Sequence, residues 1–471
     1  MPLILPANTL SDAGYDIANS CRFNRADSAT FSRTLASGSS TTKFTLSFWF
    51  KAYTLSGTAR FFHCDGTRDT YMRWNSSGTV EIGLHDNSGD VGAIITNRLF
   101  RDPSAWYHFV VRFDSTESAE NDRFRFYVNG VDERGVGGYS TDTMPDADDV
   151  CQVNLSGNAQ KIGGKSAQYV DGYLAEMILS MGYSYAPTEF GEFDGDSPTI
   201  WKPKEFGGTI GTNGFYLDFE ASGNLGNDVS GGTDFDENNI VAADQATDSP
   251  TNNFCTWNPL DAQGNTFTQG NVTLVTIVSG NPYHTANFWL TAGKWYWEIE
   301  LTSNTGSGEY QTGIANKTRT SESPIGAGPY NYEYQTETGL IQNNNSTTSH
   351  ADTATTGDII GHYLDLDNNK LYLSKNGTIQ NSGTGHSITA PASTTNGAYT
   401  PAANLGNGTK TATFDSNFGG CPSFTISSGN ADANGYGYFE YDPSDGGSSS
   451  FDSAAKDFLA ICTKNLGSDG G

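Results

Sequence analysis

FTLSFWFKAY, residues 44–53, is the stretch that decides the fold. Phe44, Leu46, Phe48 and Phe50 alternate with Thr45, Ser47, Trp49 and Lys51, the period of two that gathers one set of side chains on one face of a strand. Outward from it, WYHFVVRFD from Trp106 and FRFYVNGV from Phe124 behave similarly. Asn129-Gly130 supplies the positive backbone angles of a two-residue hairpin turn. Short aromatic and β-branched runs broken by Gly, Asn, Asp and Ser continue to about residue 195, and an antiparallel sandwich is the product.

A chain of 471 residues is too long for one ordinary core, and two large β domains with extensions fit it. Charged residues make up 17%, below the roughly 25% usual for soluble proteins, so Ser, Thr, Asn and 55 Gly carry the polarity. The 27 Phe, 23 Tyr and 8 Trp supply cores and argue against wholesale disorder. A formal charge of -27 speaks against nucleic acid as a partner, because phosphates are neutralised by clustered Lys and Arg. MPLILPANTL at the N-terminus has only three apolar residues between two prolines and no basic region, so neither a secretory signal nor membrane insertion is expected. Residues 1–19 read as an arm that lies along the first sandwich or docks into a neighbouring protein by adding a strand. Cys21, Cys64, Cys151, Cys255, Cys421 and Cys462 are far apart with no CxxC pair, which predicts free, buried thiols.

Five pieces in order, FTLSFWFKAY, WYHFVVRFD, FRFYVNGV, the IGG from Ile162 and VDGYLAEMILS from Val170, resemble the laminin-G-like branch of the concanavalin A-like lectin/glucanase superfamily. The resemblance implies a jelly-roll sandwich over residues 20–195. Many such domains bind calcium at the sandwich rim, which makes Asp65 and Asp171 the candidate ligands here, and no other cofactor is implied. Residues 196–262 are rich in Gly, Asn, Asp and Pro and predict a bridging wrap without a core. Within them, WKPKEFGGTIGTNGFYLDFE and DQATDSPTNNFCTWNPL resemble segments that follow laminin-G-like domains in tail and appendage proteins of tailed bacteriophages.

Residues 263–425 regain strand periodicity. GKWYWEIEL from Gly293, QTGIANK from Gln311 and GDIIGHYLDLDNNKLYLSKNGTI from Gly357 resemble the SPRY family, a second sandwich that binds partners through loops. In 426–471, Phe451, Ala455, Phe458, Leu459, Cys462 and Leu466 fall at helical spacing and predict one helix over 452–465.

Catalytic patterns are incomplete. Laminarinase-like relatives of the first sandwich place acid and nucleophile in an ExDxxE spacing. Glu298-Ile299-Glu300 lacks the third carboxylate, and Glu440-Tyr441-Asp442 meets Pro443 and Ser444. Ile162-Gly163-Gly164-Lys165-Ser166 ends like a phosphate-binding loop, yet Ala159 stands where its first glycine belongs. Asp365-Leu366-Asp367-Asn368-Asn369 opens like a calcium loop, but Lys370 replaces the required glycine. Aromatic groups in loops are the remaining signal, since sugars and protein partners both favour flat, partly polar surfaces. Tyr330, Tyr332 and Tyr334 share a face if extended, and Trp74 and Tyr139 are further candidates. The expectation is a non-enzymatic phage virion protein exposed on the particle. It would be a tail fibre, tailspike or other appendage component, binding a host-surface glycan or receptor or other virion proteins. The alternatives are an architectural capsid-decoration or head-fibre subunit and a polysaccharide-degrading tailspike. Such proteins assemble as homo-oligomers, although no heptad or β-helix repeat is visible to enforce it.

Overall fold

The computed structural model describes residues 14–469 apart from 40, 263, 277–282, 305–309, 318–324, 406–410 and 445–456. The arm's first 13 residues therefore lie outside the described residues. Two compact units, Leu10–Thr251 and Asn252–Gly471, divide the chain. The described residues are nearly all β, and their α-helices are the short Glu133–Val136 and Thr463–Asp469.

In the first unit Lys43–Ala52 lies between Trp106–Asp114 and Gly172–Met181, at the centre of an eight-stranded sheet. Phe44, Leu46, Phe48 and Phe50 point into the core, as their alternation predicts. There they meet Phe61, Met72, Trp74 and Ile82 from the facing eight-stranded sheet. Asn129 and Gly130 both take positive φ (49° and 76°) between the paired Val128 and Val131, the two-residue turn the sequence called for. The alternate set, Thr45, Ser47, Trp49 and Lys51, is buried as well, so the outer face of this sheet is covered.

Part of the cover comes from the segment expected only to bridge, whose Phe206, Ile210 and Tyr216 pack on Val110 and Ile178. Phe215–Leu217 pairs with Gly172–Met181, and Phe215, Leu217, Phe219, Leu225, Phe235 and Ile240 enter the first core. Residues 196–251 therefore complete this sandwich, which corrects the reading of a wrap without a core. Arg33 explains how so polar a segment is held. Its buried guanidinium pairs with Asp228 (3.1 Å), donates to the carbonyls of Asn213, Gly214 and Thr233, and lies over Phe215 and Phe235.

The second unit packs a nine-stranded sheet, centred on Lys294–Asn304, against a six-stranded one. Trp295, Trp297, Ile299 and Leu301 face the core between them, while Tyr296 faces a smaller outer cluster with Tyr363, Phe439 and Phe458. The helix expected over 452–465 is replaced where it is described. Leu459–Ala460 is a strand parallel to Trp295–Tyr296, and the helix runs Thr463–Asp469; residues 451–456 lie outside the described residues. The reason is burial on two sides. Leu459 and Ile461 enter the main core, whereas Phe458, Ala460 and Cys462 enter the outer cluster, a period-two demand that only an extended chain meets.

Candidate functional site

The central strand of the second unit, Lys294–Asn304, carries a buried carboxylate. Glu298 is fully buried. It accepts hydrogen bonds from the Tyr296 hydroxyl (2.8 Å), the Asn417 amide (3.0 Å) and the backbone N–H groups of Glu440 (3.1 Å) and Tyr441 (2.8 Å). Burial outweighs these four donors and pushes its pKa up to about 7. Both oxygens are engaged in tying residues 440–441 to the central strand, which is an anchoring role. Glu440 caps the backbone of Ser427 and Ser428, and Asp365 caps the turn at Asn368 (2.9 Å).

A serine and a histidine also meet, in the first unit, where Ser47 Oγ lies 2.9 Å from His108 Nε2. The Trp201 indole N–H, a donor only, points at His108 Nδ1 at 3.0 Å. Nδ1 must therefore accept, the ring proton sits on Nε2, and the imidazole donates to Ser47. Burial lowers the His108 pKa to about 3, so the ring is neutral, and because its proton sits on the nitrogen that faces Ser47, that nitrogen cannot take the serine proton. The imidazole is stacked on Trp49 (4.6 Å) and Trp201 (6.0 Å), a packing element.

The aromatic candidates separate by burial. Tyr332 and Tyr334 are 4% and 1% exposed on the strand Tyr332–Gln335, inside the second core. Tyr332 is held by Thr389 (2.8 Å, backbone N–H to the phenol oxygen) and Tyr334 donates to the Asp352 carbonyl. They are core tyrosines rather than a recognition face, and Tyr330 is half-buried apart from them. Trp74 is likewise core, packed on Phe50 and Phe100. Tyr139 is half-buried under Arg134 (5.0 Å).

Neither calcium candidate is set for a cation. Asp65 is ion-paired with Lys161 (3.0 Å) and Lys165 (2.5 Å), and Lys165, the basic residue of the phosphate-loop look-alike, also pairs with Asp69 (2.9 Å). Asp171 accepts the Arg25 N–H (3.1 Å), and burial raises its pKa. No group of three or more His, Cys, Asp or Glu side chains is placed to hold a metal among the described residues.

What remains is an aromatic surface on the outer face of the first unit. Directly after the strand Gly172–Met181, Tyr183 and Tyr185 set their rings nearly parallel, 11° apart with centroids 5.9 Å apart, and Tyr183 is 42% exposed. Tyr185 packs edge-on against Phe206 (5.4 Å), which stacks on buried Phe190 (4.7 Å, 6°). The Tyr185 ring is fixed from behind, its phenol oxygen accepting the Thr209 N–H (2.8 Å), and the backbone of both residues is held by Thr45 Oγ1, which donates to the Tyr183 carbonyl and accepts the Tyr185 N–H. Arg112, bonded to Ser184 Oγ (2.6 Å) and Glu117 (2.6 Å), adds polar groups beside them. Phe190 and the neighbouring Ile178 also line a cleft with Glu176, Tyr15, Trp49 and Lys204. The i, i+2 spacing of Tyr183 and Tyr185 is the same signal that Tyr332 and Tyr334 carry; burial in the structure separates the pairs.

Residues 23–181 match the concanavalin A-like lectin/glucanases superfamily, and residues 294–420 match the SPRY domain. The chain carries a concanavalin A-like domain followed by a SPRY domain. Among curated proteins it is similar to stonustoxin subunit beta of Synanceia horrida, 36% identical over 77 residues, covering 16% of this chain and 11% of that protein. Among solved structures, the SPRY domain of human HERC1 aligns with 36% of this chain and 99% of its own (16% identity, TM-score 0.30). A heptameric SAP-like pentraxin of Limulus polyphemus aligns with 36% of this chain and 80% of its own (16% identity, TM-score 0.27). Among the described residues no helix is long and apolar enough to cross a membrane.

Proposed function

We propose that this chain is a non-enzymatic recognition protein of a tailed-phage virion, a tail-fibre, tailspike or other appendage component, whose concanavalin A-like domain binds a host-surface glycan. The observation that carries the glycan reading is the Tyr183–Tyr185 surface. Two nearly parallel rings, one of them 42% exposed, offer an apolar face for the C–H groups of sugar rings, with Arg112 and Glu117 beside it for their hydroxyls. The absence of enzymatic action is supported by the anchored Glu298 and by the ring proton of His108, which faces Ser47. The phage assignment is supported by the resemblance of residues 201–220 and 244–260 to appendage proteins.

The test is retention of the purified chain on resin bearing capsular or cell-wall polysaccharide, against bare resin, with the supernatant assayed for released oligosaccharide. Retention without release is expected. Tyr183→Ala, which removes an exposed ring, should weaken it about 2- to 12-fold, the worth of one stacking contact, at an unchanged melting temperature. Equal retention by Tyr183→Ala would remove this surface from the reading, and released oligosaccharide would overturn the non-enzymatic one. Antibody labelling of intact particles in the electron microscope tests the virion assignment and separates a tail appendage from a capsid-decoration subunit.

A further inference from the structure

Glu176 sits at an irregularity in the central sheet of the first unit. It interrupts the pairing of Gly172–Met181 with Lys43–Ala52, where the register shifts between Ala175 and Ile178, and it takes φ +48°, the left-handed region that a β-carbon disfavours. The bulge turns its side chain to the outer face, where it is 8% exposed. Two tyrosines close over it: the Tyr15 hydroxyl donates to Oε1 (3.2 Å), the Tyr216 hydroxyl donates to Oε2 (2.5 Å), and the two phenol oxygens are 2.9 Å apart. Tyr216 belongs to the paired strand Phe215–Leu217. Tyr15 does not belong to a strand; it stands on the segment leading into Ser20–Phe23, which is also fastened at Ile17, whose N–H and carbonyl both bond Thr251 Oγ1 (3.2 and 3.0 Å), and at Asn19, whose amide donates to the Ala246 carbonyl (3.3 Å). Glu176 is thus covered on one side by strand and on the other by a short strap.

We propose that Tyr15, Glu176 and Tyr216 form a proton-linked clasp: with Glu176 protonated, the 14–19 strap is held over the cleft beside the aromatic surface, and ionisation of Glu176 releases it. The inference does not depend on what that surface binds. A buried carboxylate costs more to ionise than a hydrated one, and burial raises the Glu176 pKa to about 7 despite both tyrosines. Lifting Tyr15 would admit water and return the group towards its ordinary 4.5. Ionisation must then favour the open strap, by thermodynamic linkage. The other groups around Glu176 do not substitute for it. Burial pushes Tyr15 and Tyr216 far above neutrality, and holds His108 across the cleft at about 3. Asp218 and Glu220 add negative potential that opposes ionisation of Glu176, and Lys204 lines the cleft wall.

Hydrogen exchange of the full chain, read on peptides covering 14–19 and corrected for the intrinsic pH dependence of exchange, tests this. Protection is expected to fall by up to about 100-fold between pH 4.5 and 7.5, the part of the displaced pKa's effect that this range spans. Glu176→Gln, which cannot ionise, should keep the strap protected at both pH values. Tyr15→Phe removes a donor to the ionised carboxylate and should extend the fall to higher pH. Corrected protection that is flat in the native chain, or a fall that persists in Glu176→Gln, would overturn the clasp. Should Glu176→Gln fail to fold, an unshifted profile in Tyr15→Phe would overturn it equally.

Discussion

Removing the charge of Glu298 should change the pH dependence of the SPRY domain's stability more than its stability at any one pH. The pKa of this carboxyl rises from 4.5 to about 7 on folding, the net of burial against four hydrogen-bond donors. A folded pKa raised above the unfolded one means that the native state binds the proton more tightly. The associated stability is therefore fully present below pH 4.5 and is lost as pH rises towards 7. At about 1.4 kcal/mol per pKa unit, the loss amounts to about 3 kcal/mol. Glu298→Gln has no such dependence. Gln offers a single acceptor oxygen; if its amide faces Tyr296, whose hydroxyl can rotate to accept, the Tyr441 N–H loses its partner at a cost of about 1–3 kcal/mol. The variant should accordingly be the less stable protein at pH 4.5 and about equal to the native chain at pH 7.5. Urea unfolding read by pulsed hydrogen exchange on peptides from 294–304 isolates this domain. Subtracting variant from native at each pH cancels other titrations. A difference that stays constant with pH would refute the reasoning, and one that grows would show that the four donors outweigh burial.

Arg33→Met should destabilise the concanavalin A-like domain by about 3–5 kcal/mol, since Asp228 would be left buried without its partner; peptides from 215–240 should lose exchange protection first. Ser47→Ala should leave any polysaccharide turnover unchanged, because His108 donates to that hydroxyl, and a loss of measured hydrolysis would contradict the tautomer. All six cysteines are free and buried, with Cys64 and Cys462 pushed up to about 12 by burial. An aromatic disulfide reagent at pH 8 should therefore find its thiols only after urea is added.

Much of the architecture was legible because strand periodicity is a local property. The alternation in 44–53, the Asn129-Gly130 turn and the paired strands Ile359–Asp365 and Lys370–Lys375 needed no distant partner to be read. The anchoring of Glu298, by contrast, depends on residues more than a hundred positions away and could not be read from its local spacing. Tertiary structure decided whatever turned on which neighbours cover a face. Phe458, Leu459 and Cys462 fit a helix by spacing, but burial on two sides at once made residues 459–460 a strand. The sparse apolar residues of 196–251 looked too few for a core, yet Arg33 gave their polar backbone partners and let them join an existing one. Tyr332-Glu333-Tyr334 and Tyr183-Ser184-Tyr185 carry the same spacing. The first pair lies on a strand beneath a facing sheet and the second just past the end of one on the outer face, because exposure is set by what packs against a segment and not by its own residues.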